Sequence, residues 1–288
     1  MRSFIIIVFS LILLLGCGGR SKKSSSTKFT YTLKTEKDTL TEKEQERQKE
    51  LYEFLIGDTL PEETDGTFDD FIYSFASNPT LQLKRIIFPL PYYDGDGVVR
   101  IKKEEWKHDS LFVNDTFYTL LFDSEKSMDE VDVFSSKSIQ LEWYLLDEHK
   151  VKRYYFEKIN ELWFLEAINM REMEKDNEEE FFDFFAQFTS DSIFQAQRIK
   201  QPLDFVTIDP DDEFSILETQ LESGQWFAFK PPLPKGRLFN INYGQEVNDF
   251  SKHKIVVLRG IGNGFFNALF FANNGGKWKL YKFEDTSI

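Results

Sequence analysis

The chain has 288 residues, of which 41% are hydrophobic and 16% aromatic, so it has enough apolar material for two cores of ordinary size. Its formal net charge of −14 at pH 7 argues against nucleic acid as a partner, because such binding depends on Lys and Arg contacts with phosphates. A single Cys excludes a disulfide framework and a Cys-based zinc site. We therefore expect no cofactor.

Residues 1–16 have the features of a secretory signal peptide. A basic start is followed by an almost entirely apolar run, 4–15, which is too short for a transmembrane helix of roughly 20 apolar residues. The run ends in Leu14-Leu15-Gly16-Cys17, which resembles the lipobox of bacterial lipoproteins. The resemblance implies that the mature chain begins at Cys17 and that its sulfur carries a lipid anchor. The alternative is an ordinary signal peptide with a chance cysteine.

The residues after Cys17 bear on where the anchored chain resides. By resemblance to Gram-negative sorting rules, Gly18 favours the outer membrane, and the lack of a following acidic run favours the periplasmic side. Residues 17–40 begin with a stretch of Gly, Ser and Lys, which is typical of a flexible tether. Residues 41–63 open with a capping box and carry apolar side chains only near their end, which predicts a polar stalk helix.

An internal repeat occupies the rest of the chain. At a shift of 113 residues, ten of 23 positions are identical between 68–90 and 181–203. The match resumes at a shift of 115, which pairs Trp163 with Trp278. We therefore predict two copies of one domain, 64–172 and 176–288. The identical pairs of the first block are Phe68/Phe181, Asp70/Asp183, Phe71/Phe184, Phe75/Phe188, Ser77/Ser190, Gln82/Gln195, Arg85/Arg198, Ile86/Ile199, Pro89/Pro202 and Leu90/Leu203.

Each copy is predicted to be α+β, with a helical hairpin packed on a curved antiparallel sheet. Phe residues spaced three and four apart at the start of each copy predict an amphipathic helix. A second helix is expected to begin at Pro79 and to end at Pro89, with its counterpart ending at Pro202. The alternating apolar residues that follow predict five or six strands. The segment Asn273-Asn274-Gly275-Gly276 predicts the turn of the last hairpin.

This arrangement resembles the nuclear-transport-factor-2-like (NTF2-like) fold, a cone also used by ketosteroid isomerases and polyketide cyclases. The whole chain further resembles an uncharacterised lipoprotein family of anaerobic Gram-negative gut bacteria, a domain of unknown function. The likeness is carried by the lipobox, the Phe-x-x-Phe-Phe helix, the Gln-x-x-Arg-Ile segment with its following Pro-Leu, and the late Trp strand. The fold resemblance implies small-molecule pockets, protein interfaces or enzymes, and it selects none of them.

Two Asp–Arg pairs are retained in both copies: Asp70 with Arg85, and Asp183 with Arg198. They are candidates for binding an anionic ligand at the mouth of a cone. The interpretation that we favour is structural, with each Asp capping a helix and each Arg binding the last helix carbonyls or neighbouring carboxylates. In that role, replacing either Arg by Ala is expected to cost about 1–3 kcal/mol of stability.

Further candidates are the acidic residues of two equivalent segments, Asp94 with Asp96 and Asp209 with Asp211. Clustered carboxylates can bind Ca²⁺, but Asp and Gly also form turns, and we expect turns and no metal site. Gly260, Gly262 and Gly264 superficially match a dinucleotide loop, but no helix pattern follows, so they predict a turn between strands. The three His residues lack partners at ligand spacing.

The predicted function is therefore non-catalytic: a lipid-anchored periplasmic protein that binds a small molecule or a protein partner through its cones. The alternative is an isomerase, dehydratase or cyclase with one active cone and one decayed cone, and the sequence nominates no catalytic residue. The two hypotheses differ in a structural feature. A carboxylate beside a Tyr in a pocket of only one copy favours the enzyme, because such enzymes need a base in an apolar site.

Overall fold

The computed structural model of the chain describes residues 65–130, 136–173, 179–245, 248 and 251–288. All of them belong to one compact unit, Asp58–Ile288. The predicted signal peptide, Cys17, the tether and the stalk helix lie outside the described residues. We call 65–173 the first half and 179–288 the second half.

Both halves begin with two helices and continue with six strands in the same order. The helices are α1 (Phe68–Ser77), α2 (Pro79–Lys84), α3 (Glu125–Asp129), α4 (Phe181–Ser190), α5 (Ser192–Gln197) and α6 (Trp226–Phe229). The strands of the first half are β1 (Leu90–Asp94), β2 (Gly97–Ile101), β3 (Phe117–Phe122), β4 (Ser138–Leu145), β5 (Lys150–Ile159) and β6 (Leu162–Glu172). Those of the second half are β7 (Ile199–Asp209), β8 (Asp212–Leu221), β9 (Arg237–Asn242), β10 (His253–Gly260), β11 (Phe266–Asn274) and β12 (Lys277–Asp285).

The starts of the helices follow from their caps. The Thr67 hydroxyl accepts a hydrogen bond from the backbone N–H of Asp70, and the Asn78 side chain accepts two at the start of α2, where Pro79 is the first residue. The predicted ends of the second helices are wrong. α2 ends at Lys84 and α5 at Gln197, well before the prolines, because the chain turns there to pair with β6 and β12.

The α+β class is confirmed, but the strands form a single sheet instead of one per half. Their order is β2-β1-β6-β5-β4-β9-β3-β10-β11-β12-β7-β8. The prediction of a purely antiparallel arrangement is also wrong, because β1 pairs in parallel with β6, β7 with β12, and β3 with β9. These parallel pairs arise where the chain leaves a helical hairpin or crosses from one half to the other.

The third strands of the two halves are exchanged. β3 of the first half pairs antiparallel with β10 of the second, and β9 of the second half pairs antiparallel with β4 of the first. The central strands consequently have both faces buried. In β3, Leu120 packs into the core beneath α1, whereas its neighbour Leu121 packs into the core beneath α4. Such doubly buried strands have continuous apolar sequences instead of alternating ones.

Aromatic side chains anchor both helical hairpins to the sheet. The Phe68 ring of α1 packs edge-on against Trp163 at a centroid distance of 5.0 Å, and the Phe181 ring of α4 packs against Trp278 at the same distance. Edge-to-face contacts of this kind add to the stabilisation from apolar burial. The first core also includes seven side chains from the second half: Phe239, Ile241, Tyr243, Ile255, Val257, Ala268 and Phe270.

Candidate functional site

The structure places Arg85 and Arg198 in matching structural contacts. The Arg85 guanidinium donates to both carboxylate oxygens of Asp65, at 2.8 and 3.0 Å, and to the Trp163 carbonyl at 3.3 Å. Arg198 donates in the same way to Glu179, at 2.9 and 2.6 Å, and to the Trp278 carbonyl. The predicted contacts with neighbouring carboxylates are present, whereas the contacts are with carbonyls of the sheet and not with the last carbonyls of the helix, because each side chain reaches from the helix end to the sheet.

The two aspartates retained in both halves have different surroundings. Asp70 accepts a hydrogen bond from the Thr67 hydroxyl at 2.7 Å, within the cap of α1. The Asp183 carboxylate instead contacts His149, whose Nδ1 lies 2.9 Å from a carboxylate oxygen, and the contact is an ion pair when the imidazole is protonated. This contact joins two surface side chains, and it is one that the spacing in the sequence did not indicate. The Asp183–His149 pair links α4 to the turn between β4 and β5.

The remaining acidic candidates lie on two hairpin turns at opposite ends of the sheet. Asp94 ends β1 and Asp96 lies in the following turn, and in the same way Asp209 ends β7 and Asp211 lies in the turn before β8. The Asp209 carboxylate accepts the backbone N–H of Asp211 at 2.9 Å, as an Asx turn does. Among the described residues, no group of three metal-ligating side chains is present.

A large open cavity lies in the first half, between α1 and the turn that joins β10 to β11. Its volume is about 880 Å³. We call it the first-half cavity. Its apolar walls and its polar groups come from both halves: Asp69, Ile72, Phe112, Tyr118, Ile241 and residues 259–264. Cavities of this size, with apolar walls and a few polar groups, are typical of small-molecule sites.

Asp69 and Tyr118 line one side of the cavity, and Tyr243 interacts with both of them. The Tyr243 hydroxyl donates a hydrogen bond to the Asp69 carboxylate. Tyr118 is buried, with 6% of its surface exposed, and its hydroxyl interacts with Asp69 and Tyr243 but forms no well-aligned hydrogen bond among the described residues. Burial, together with the negative charge of Asp69, raises the pKa of Tyr118 to about 12. The Tyr118 hydroxyl is therefore protonated at neutral pH and can donate to a ligand.

The glycine-rich turn forms the rim of the cavity, and the prediction that these glycines lie between strands is confirmed. A Cβ atom on Gly260 would lie 1.7 Å from the Asn263 side chain, and one on Gly264 would lie 2.6 Å from the backbone oxygen of Ile288. Glycine is therefore required at position 264, where the contact is with backbone, whereas a larger residue at position 260 would have to displace the Asn263 side chain. Arg259 directly precedes this turn and is exposed at the rim.

The corresponding place, beneath α4, is filled. Asp69 aligns with Phe182 in the repeat, and the Phe182 ring stacks on Tyr144 of β4 at a centroid distance of 4.3 Å. The space beside these two rings has a volume of only about 30 Å³, against about 880 Å³ for the first-half cavity. Leu146, in the following turn, is also buried. Only the first of these two places is therefore open to a ligand.

Sequence reasoning missed the residues of the cavity, because it searched for polar residues shared by both copies. Those shared residues serve the fold. The cavity residues Asp69, Tyr118 and Arg259, and Tyr243 which binds Asp69, were not nominated, although the alignment contained one signal. A carboxylate at position 69 aligned with a phenylalanine at 182 marks a polar site in one half and a packed core in the other.

Within the described part of the chain, no helix has the length and apolar character needed to cross a lipid bilayer. The comparison with curated proteins gave no match. The chain is similar to the crystal structure of an NTF2-like protein from Bacteroides fragilis, with 56% sequence identity and a TM-score of 0.77. That similarity covers 80% of this chain and 100% of the other.

The NTF2-like neighbour agrees with the α+β architecture described above. The profile of a domain of unknown function, DUF4348, matches residues 47–285, which include all the strands and helices of the described residues. The chain therefore belongs to the DUF4348 family.

Proposed function

We propose that this protein is a lipid-anchored, non-catalytic binding protein of the cell envelope, and that its ligand is a small molecule held in the first-half cavity. The observation that carries the proposal is the open cavity of about 880 Å³, which has apolar walls and two polar side chains, Tyr118 and Arg259, on adjacent strands. The Tyr118 hydroxyl forms no well-aligned hydrogen bond among the described residues, so a ligand oxygen there would complete its bonding.

The finer architecture belongs to the same proposal. We infer that 64–172 and 176–288 are two copies of one cone-shaped domain, on the support of the sequence repeat and the shared order of elements. In this view the second copy became a packed support when an aromatic pair, Phe182 and Tyr144, filled its cavity. The exchanged strands place Ile241 and Arg259 of the second copy in the cavity of the first.

Binding is tested with N-phenyl-1-naphthylamine, a neutral apolar dye that fluoresces in apolar cavities. We expect saturable binding at one site per chain, since the walls include the buried side chains Ile72, Phe112 and Ile241. The double variant Asp69→Phe/Arg259→Tyr places Phe at the position that aligns with Phe182 and Tyr at the position that aligns with Tyr144. This aromatic pair should fill the cavity. It is expected to lower dye binding at least about tenfold.

Arg100→Gln serves as the matched control, because Arg100 is exposed on the edge strand β2, outside the cavity. Retained dye binding in the filled variant, with a circular dichroism spectrum like that of the wild type, would contradict the proposal. It would place the dye on another apolar surface.

Anchoring rests on the lipobox alone. We expect Cys17→Ala to abolish the incorporation of labelled palmitate and to release the protein from the membrane fraction, because acyl chains on Cys17 are the only anchor that the proposal contains. The measurement is metabolic labelling followed by membrane fractionation. A variant that remains membrane-bound, together with an unlabelled wild type, would overturn the proposed localisation.

A second candidate function is supported by the asymmetry of the two halves. Asp69 lies beside Tyr118 and Tyr243 in one half only, which is the arrangement expected for an isomerase, dehydratase or cyclase with one active cone. We favour binding over catalysis, because the Tyr243 hydroxyl already donates to one oxygen of the Asp69 carboxylate, which makes that carboxylate a weaker base. An exchange experiment separates binding from catalysis: a small molecule extracted from the purified protein is incubated with the protein in D₂O. Deuterium incorporation by the wild type but not by Asp69→Asn would establish the enzyme.

A further inference from the structure

We propose that the ligand of the first-half cavity is an amphipathic anion, with an oxyanion group bound by Arg259 and Tyr118 and an apolar body against the cavity walls. This inference rests on the proposed function, and it adds the chemical class of the ligand. An oxyanion group here means a carboxylate or a sulfonate.

The geometry of the sheet brings the two donors together. Tyr118 on β3 and Arg259 on β10 are register partners in the antiparallel pair. Side chains at such opposed positions lie on the same face of the sheet, with Cβ atoms about 4.5–5.5 Å apart. Both residues line the first-half cavity. An oxyanion group of a ligand can therefore accept from the guanidinium and the hydroxyl at the same time.

The two donors differ in how far the fold already occupies them. Arg259 is exposed at the rim of the cavity. The Tyr118 hydroxyl interacts with Asp69 and Tyr243 but forms no well-aligned hydrogen bond among the described residues, so it can turn toward a ligand. The charge of Arg259 also acts on Tyr118, since it opposes the other influences that raise the pKa of that hydroxyl. Hydrogen bonds from arginine to an oxyanion are roughly twice as strong as those between neutral groups.

The two carboxylates of the cavity keep their negative charges, but each already accepts a hydrogen bond from a hydroxyl of the fold, so we assign the oxyanion group to the Arg259 side of the cavity. Asp69 accepts from the Tyr243 hydroxyl, and Asp70 accepts from the Thr67 hydroxyl at 2.7 Å. The second half supports the same assignment, because Leu238 lies opposite Tyr144 at the register position that matches Tyr118 and Arg259. Neither of these two side chains carries a charge.

The test compares two dyes that differ by one sulfonate: 8-anilinonaphthalene-1-sulfonate and neutral N-phenyl-1-naphthylamine. We expect Arg259→Gln to weaken binding of the sulfonate dye about tenfold, because it removes a charge-assisted contact. Binding of the neutral dye should change by less than about twofold. Tyr118→Phe should weaken binding of the sulfonate dye about threefold with little change in the thermal midpoint, since the hydroxyl that it removes forms no well-aligned hydrogen bond among the described residues.

Arg100→Gln is the matched control, because it removes the same charge from an exposed strand without touching the cavity. If Arg259→Gln weakens binding of both dyes equally, or of neither dye, the anion assignment is wrong, although the cavity remains a ligand site. Stronger binding of the sulfonate dye to Arg259→Gln would favour a cationic ligand near Asp69 instead. If the wild-type protein does not bind the neutral dye, the proposed function itself is wrong. Thermal midpoints of all variants verify that they fold.

Discussion

Replacing Arg85 by Ala should lower the free energy of unfolding by about 3–5 kcal/mol, which is more than the retained Asp–Arg pattern suggests. The Arg85 side chain is 3% exposed, and the Asp65 carboxylate that it binds through two hydrogen bonds is 13% exposed. Removing the guanidinium leaves that carboxylate buried without its counter-charge. The Trp163 carbonyl loses its contact with the same group. Chemical denaturation monitored by tryptophan fluorescence measures the effect.

Two variants calibrate this result. Arg198→Ala removes the equivalent contact, but the Arg198 and Glu179 side chains are 13% and 24% exposed, so its effect should be smaller. Arg100→Ala removes an exposed arginine and should change stability by less than about 0.5 kcal/mol. If Arg85→Ala and Arg100→Ala unfold at the same denaturant concentration, the contact with Asp65 does not stabilise the fold.

Separating the two halves should abolish folding. We expect fragments 58–175 and 176–288 to be unfolded or aggregated when expressed alone, and to recover a native circular dichroism spectrum when expressed together. The exchanged strands explain this, because without the second half β4 loses its neighbour β9 and β3 loses its neighbour β10. The first core also loses the seven apolar side chains that the second half contributes.

Gel filtration and thermal unfolding of each fragment measure the outcome. A fragment of 58–175 that is monomeric and unfolds cooperatively would contradict the prediction. In that case β3 would have to pair within its own half, and the exchange of strands would not be needed for stability.

Local patterns predicted the helices and the hairpins well. The stripe of Phe68, Phe71, Ile72 and Phe75 predicted α1, and all four residues are buried. The turn at Gly275-Gly276 correctly predicted the hairpin of β11 and β12, because both glycines have the positive φ angles that such a turn requires. These features depend on residues close together in sequence, so a single sequence contains the information.

The exchange of strands could not be predicted in the same way. β3 and β9 are apolar strands of similar length, and nothing local in either sequence specifies which neighbour each one pairs with. The choice depends on the combined burial of both faces across more than a hundred residues. The ends of the second helices were also misplaced, because pairing of Ile86 with Leu165 draws the chain into the sheet before Pro89.

The candidate site shows why a search for residues shared by the repeats did not find the functional residues. Arg85 and Arg198 are shared because both halves need the same link between helix and sheet. A ligand site in one half needs residues that the other half lacks. Tyr118 and Arg259 lie about 140 positions apart in sequence and meet only through the exchanged strand β3. Recognising them required the register of the sheet.

The claim that the first-half cavity is a ligand site is tested most directly by a crystal structure of the protein with 8-anilinonaphthalene-1-sulfonate. We predict one ordered dye in this cavity, with its rings against Ile72 and Phe112 and its sulfonate within hydrogen-bond distance of Arg259 and Tyr118. A cavity that contains only water, with the dye ordered on another surface such as the exposed side chain of Phe214, would contradict it.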